Sequence, residues 1–266
     1  MLNDITLGQF YPTNSIIHRL DPRMKIVLTV LLVVFLFVAD NLYGFILMAA
    51  LCVLAVIVST IPVGYILRSF KPLLFIIFIT CMLNVFLTDG RILWQYSFLK
   101  ITYEGVYLAV FMVIRLFLLI TVTNLLTLTT SPILLTDGLE RLMSPLKKIK
   151  VPSHEIAMMM TIALRFIPTL LEETDKIIKA QSARGASFTS GNIFARAKAM
   201  IPILIPLFIS AFRRADELAL AMECRCYSGG ENRTRMRRLK IQARDIVALL
   251  ISVVFGVAVL VTNTLF

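Results

Sequence analysis

"IAMMMTIALRFIPTLLEETDKIIKAQSARG", residues 156–185, changes character halfway along. Residues 156–171 read like part of a membrane span, and the rest is charged. Whether this stretch crosses a bilayer decides the fold. A spanning helix needs about 20 apolar residues, and the apolar part falls short of that. A second stretch, "AMIPILIPLFISAF" (199–212), has the same shortfall. If both crossed, the connection between them would lie outside, carrying Lys176, Lys179, Arg184, Arg196 and Lys198. That violates the positive-inside bias. The spacing therefore predicts two long cytoplasmic helices, about 153–185 and 192–225. Each is apolar in its first half, suited to the membrane interface, and polar in its second.

Outward from this pair, five apolar runs have the character of spans: 25–39, 42–60, 72–88, 105–128 and 246–264. The first is short and is separated from the second by Asp40-Asn41. Two helices with a tight turn, or one bent element, both fit. The chain is 58% hydrophobic and only 16% charged, against about a quarter charged in soluble domains. Mean hydropathy is +0.85. The predicted class is an all-α membrane protein with about five transmembrane helices, plus a cytoplasmic domain of one short and two long crossing coupling helices. Its expected divisions are 1–128, 129–244 and 245–266.

Lysine and arginine set the orientation. Of 27, 19 lie within 129–244. The N-terminal segment holds Arg19, Arg23 and Lys25, and Arg68 and Lys71 follow the second run. The opposite loops hold only Arg91 and Lys100. The N-terminus and 129–244 are expected inside, with the C-terminal end outside. "ENRTRMRRLK" (231–240) reads as a basic patch beside the last span. The start lacks the early apolar core of a cleaved signal. Four cysteines, Cys52, Cys81, Cys224 and Cys226, make no secreted-type disulfide framework.

Ser131-Pro132 is a helix start, with Ser as cap and Pro at the first helical position. A short helix is predicted from there, its apolar positions recurring through Ile149 and Pro152 ending it. The two long helices then match when offset by 41 residues. Ala183-Arg184-Gly185 falls on Cys224-Arg225-Cys226, and Asp175 on Asp216. A lone arginine at a helix end complements the carbonyl ends and is otherwise solvated. Two matched small-Arg-small tips suit docking, because small neighbours let a partner approach and the guanidinium fork grips carboxylates. Ala180 and Ala221 are small enough to let the two helices cross closely. Pro168, Pro202 and Pro206 are expected to bend or break the apolar halves.

The tips, together with "GQFYPTNSIIHRLDPRMK" (8–25), resemble the transmembrane component of energy-coupling factor (ECF) transporters, the EcfT family. Gly8, Ser15, His18, Leu20, Asp21, Pro22, Arg23 and Lys25 carry the N-terminal likeness. The resemblance implies a multi-pass cell-membrane subunit of an ABC transporter complex with no catalytic residue and no cofactor. Such a subunit joins two ABC-type ATPase subunits to a small membrane S-component that binds a vitamin or metal ion. It implies that Arg184 and Arg225, with their flanking residues, seat in one ATPase groove each. The unlike triplets fit two non-identical ATPases.

Cys224-x-Cys226 lacks the four ligands of a structural zinc site. His18 and Asp21 have no accompanying nucleophile, so a turn with its own cap, flanked by interfacial arginines, is expected there. Arg115 lies mid-run; a functional charge and a structural network with Asn84 or Asn124 both fit. No phosphate-binding G-x-x-x-x-G-K-[ST] loop occurs, so ATP hydrolysis is not expected of this chain, and nothing suggests nucleic acid. A conventional ABC importer permease would carry a single short coupling helix. A membrane enzyme acting on lipid phosphates would cluster its acids, and here they are dispersed.

Overall fold

The computed structural model describes residues 10–96, 99–186, 192–229 and 239–265. Gly8 and most of the basic patch, 231–238, lie outside the described residues. The helices are α1 (Pro22–Val38), α2 (Leu42–Ser59), α3 (Val63–Phe70), α4 (Leu74–Leu87), α5 (Tyr103–Thr129), α6 (Pro132–Met143), α7 (Ser153–Ala183), α8 (Ile193–Cys224) and α9 (Ala243–Leu265). A two-stranded antiparallel hairpin, β1 (Ile92–Tyr96) and β2 (Leu99–Thr102), precedes α5. The chain divides into two compact units. One holds α1–α5, the start of α6, and α9; the other holds the end of α6, α7 and α8.

In the first unit, α1 and α2 both pack on α5 and α9, and α4 packs on α5. The core is formed by Leu36, Phe45, Met48, Cys52, Leu118, Val122 and Val259. Gly256 brings α9 against α1: a Cβ there would overlap the Phe35 ring. Two separate helices, not one bent element, form the first pair, and α9 clasps their turn. Asn263 Nδ2 donates to the Val38 carbonyl at 3.0 Å, and Asn41 Nδ2 donates to the Thr262 carbonyl at 3.2 Å.

The segment between the second and third runs is more ordered than the sequence reading allowed. It is an amphipathic helix, α3, that buries Ile66 and Phe70. Phe70 stacks on Phe117 of α5 with ring centroids 3.9 Å apart. A 3-10 turn, Lys71–Leu73, joins α3 to α4. Pro72 explains the step, since it has no N–H to continue the α ladder.

Among the described residues, five helical segments are long and apolar enough to cross a membrane: 42–59, 63–87, 103–129, 153–183 and 243–265. Four coincide with the runs read from the sequence. α1 has only 17 residues, the lower edge of what spans. α7 qualifies by length and composition, with the lowest mean hydropathy of the five, 1.3 against 2.2–2.6.

The expected helix from Pro132 to Pro152 is corrected. α6 stops at Met143, and Ser144–Ile149 is a 3-10 segment. Pro145 accounts for this: it removes a helical hydrogen bond and disfavours the α conformation at Ser144. Lys150, at φ 63, then turns the chain into α7. Pro168, Pro202 and Pro206 bring no break, because α7 and α8 continue through all three.

Candidate functional site

The described part of the opening motif, from Ser15 to Lys25, forms a clasp at one end of the first unit. Asp21 caps α1 by accepting from the Arg23 N–H at 2.9 Å. Arg23 pairs with Asp21 at 3.2 Å and donates to the Leu239 carbonyl at 2.9 Å. It therefore ties the start of α1 to Leu239, a contact that the expectation of an interfacial anchor did not include. Lys25 is buried, and its ammonium donates to the His18 carbonyl, the Thr129 carbonyl and Thr130 Oγ1 at 3.2, 2.8 and 3.3 Å. That satisfies all three of its donors. Buried Asp245, at the start of α9, accepts from the Asp21 and Gln242 N–H groups at 2.8 and 2.7 Å. The ends of α1, α5 and α9 thus meet through charge-assisted hydrogen bonds.

His18 belongs to the same end. Its Nε2 faces the Tyr11 carbonyl at 3.0 Å, and its Nδ1 faces Ser15 Oγ at 2.7 Å. A carbonyl only accepts, so Nε2 carries a proton, and in the neutral ring Nδ1 then accepts from Ser15. Burial, followed by the nearby Lys25 charge, lowers the His18 pKa from its ordinary 6.5.

Arg115 sits at the opposite end from this clasp. Its Nη2 donates to the Ala39 carbonyl at 2.7 Å and lies 3.4 Å from Asp40 Oδ1. Its guanidinium stands over the Phe45 ring at 5.3 Å. Asn84 and Asn124 are not its partners. Asn84 Nδ2 donates instead to the Thr80 carbonyl on its own helix. The unequal lengths of the helices explain the placement: α5 has 27 residues and α1 has 17. α5 overhangs the α1–α2 turn by about 18 Å at 1.5 Å per residue, and Arg115 meets that turn.

The two arginine tips close in the same way. Gly185, at φ 88, takes the left-handed position after α7. The Gly185 N–H donates to the Ser182 carbonyl and the Ala186 N–H to the Gln181 carbonyl, both at 3.0 Å. After α8, Cys226 is left-handed at φ 54; its N–H donates to the Glu223 carbonyl at 2.8 Å, and the Tyr227 N–H to the Met222 carbonyl at 3.0 Å. Both are Schellman closures with arginine as the last helical cap. Gly185 is therefore required by backbone geometry as well as by size. Cys226 adopts the same turn at the steric cost of a Cβ in that region.

Ala183, Arg184, Gly185, Cys224, Arg225 and Cys226 are all exposed, as the docking reading needs. Neither guanidinium has a partner among the described residues. Cys224 and Cys226 are free thiols, and the described residues hold no group of three or more metal-binding side chains.

α7 and α8 meet through residues the sequence reading passed over. Arg214 Nη2 donates to Glu173 Oε2 at 2.9 Å, and Ser210 donates to Glu173 Oε1. Ala180 and Ala221 are exposed. The signal was available: the offset of 41 that aligns the tips also sets Glu173 on Arg214. Behind this pair, His154 Nδ1 lies 2.9 Å from Glu140 Oε1, tying α7 to the end of α6.

Residues 13–236 match the family model CbiQ, described as a cobalt transport protein. The chain is 55% identical over 266 residues to "Energy-coupling factor transporter transmembrane protein EcfT" of Ruminiclostridium cellulolyticum, covering 100% of both chains. The protein of the same name from Acidaminococcus fermentans is 59% identical over 239 residues, 90% of this chain and 89% of that one. The Bacillus subtilis relative is 46% identical over 255 residues, 94% and 96% of the two chains.

Proposed function

This chain belongs to the CbiQ family and, within it, to the EcfT transmembrane proteins of energy-coupling factor transporters, and from that premise we propose that it couples two ABC-type ATPase subunits to an S-component. α7 and α8 lie on the cytoplasmic side, with Arg184 and Arg225 seated in one ATPase each. The ATPases need not be identical, since one tip closes with glycine and the other with cysteine. Closure of the ATPases on ATP moves the rods, and the rods reorient the S-component in the bilayer. The chain hydrolyses nothing itself.

The observation that carries this reading is the pair of arginine tips, closed alike, exposed, and without a partner among the described residues. An exposed cation held at a rigid helix end is prepared for a carboxylate on a partner. The cargo is a vitamin or a metal ion, chosen by the S-component. The word cobalt in the family description does not assign it.

The test is copurification of both ATPases with a tagged chain. Arg184→Glu combined with Arg225→Glu is expected to reduce recovered ATPase at least tenfold, with each single reversal losing mainly one subunit. Unchanged recovery from the double variant overturns the docking assignment.

A further inference from the structure

The contact between α7 and α8 sits at the same depth in both helices. Arg184 lies eleven residues beyond Glu173, and Arg225 lies eleven residues beyond Arg214. Each tip is thus about 16 Å from the contact at 1.5 Å per residue. One carboxylate uses both oxygens there, one for Ser210 and one for Arg214. Those two donors stand one turn apart on the same face of α8. Sliding or rolling α8 by one turn would break both bonds.

Chain connectivity fixes the sense in which the rods pass. From Arg214 back to Ile193 is 21 residues, about 32 Å of helix. Parallel rods would put Ile193 roughly 48 Å from Arg184. The nine residues from Arg184 to Ile193 reach at most about 32 Å when fully extended. The rods therefore run in opposed senses, and the two tips leave the contact on different sides.

We propose that Glu173, held by Ser210 and Arg214, is the pin that sets the register of the two rods and keeps both arginine tips equidistant from it. This rests on the coupling role of the rods but assigns a positioning residue that the docking reading does not contain. A partly exposed ion pair adds little stability; specifying register is the better-attested use of such a pair.

The experiment measures tip-to-tip distance in the full-length chain. Spin labels at Ser182→Cys and Glu223→Cys, both exposed and equivalent under the 41-residue offset, are placed in a background with the four native cysteines changed to serine. Pulsed dipolar spectroscopy in nanodiscs should give one narrow distance distribution. Glu173→Gln and Arg214→Gln should each widen it at least twofold, and Ser210→Ala by a smaller factor. The exchange Glu173→Arg with Arg214→Glu should restore the narrow peak. In parallel, with native cysteines, Glu173→Gln should still copurify with the ATPases. A narrow peak in the single variants, or no recovery in the exchange, overturns the pin. Loss of ATPase binding on reversing the arginine tips is a separate result, so either reading can fail alone.

Discussion

His18 shows how one residue can look catalytic and be structural. It is paired with Asp21 only in sequence; in space its ring bridges Ser15 and the Tyr11 carbonyl. Burial, followed by the Lys25 charge, lowers its pKa below 6.5 and so favours the neutral ring. As the pH falls through 6.5, the unfolded chain takes up a proton that the folded chain resists. The stabilisation from this site is present above that pH and is lost below it. Thermal melts of the detergent-solubilised protein between about pH 8 and pH 5 should show this decline. His18→Gln should flatten it; an equal slope in the variant would assign the decline to other groups. Spacing alone could suggest a structural His18 and an Asp21 cap. It could not reveal Asp245 as the partner of the Asp21 N–H, since the two are 224 residues apart.

At the scale of elements, close approach and length matching decide the bundle. α9 meets α1 where Gly256 leaves room for the Phe35 ring. Gly256→Leu should cost about 1–3 kcal/mol by overpacking, read as a lower melting temperature. Phe35→Ala in the same chain should recover part of it, while each change alone lowers stability. Additive losses in the double variant would show that the two do not share the contact. The sequence located α2, α5 and α9 well because long apolar runs are their own signal. It missed α3, whose eight residues are too few for a span but enough to bury Ile66 and Phe70. It extended α6 too far because the apolar spacing continues past Pro145, whose missing N–H ends the α ladder.

For the whole molecule, the charge distribution predicts the sidedness that the proposed coupling role requires. A membrane-impermeant maleimide added to intact cells should label Thr264→Cys near the C-terminal end. It should leave Ser182→Cys unlabelled until the membrane is opened. Labelling of Ser182→Cys from outside would reverse the topology and overturn the proposed docking of the rods on ATPases. The amino-acid sequence by itself determined the membrane class, most of the spans and the two arginine tips. Hydropathy, charge bias and cap chemistry are local properties that survive without three-dimensional neighbours. Tertiary structure alone decided that Arg115 meets the α1–α2 turn, that Lys25 and Asp245 complete one clasp, and that Glu173 joins the rods. Each depends on which distant groups are brought within about 3 Å, the range of a hydrogen bond, and only packing of the helices settles that.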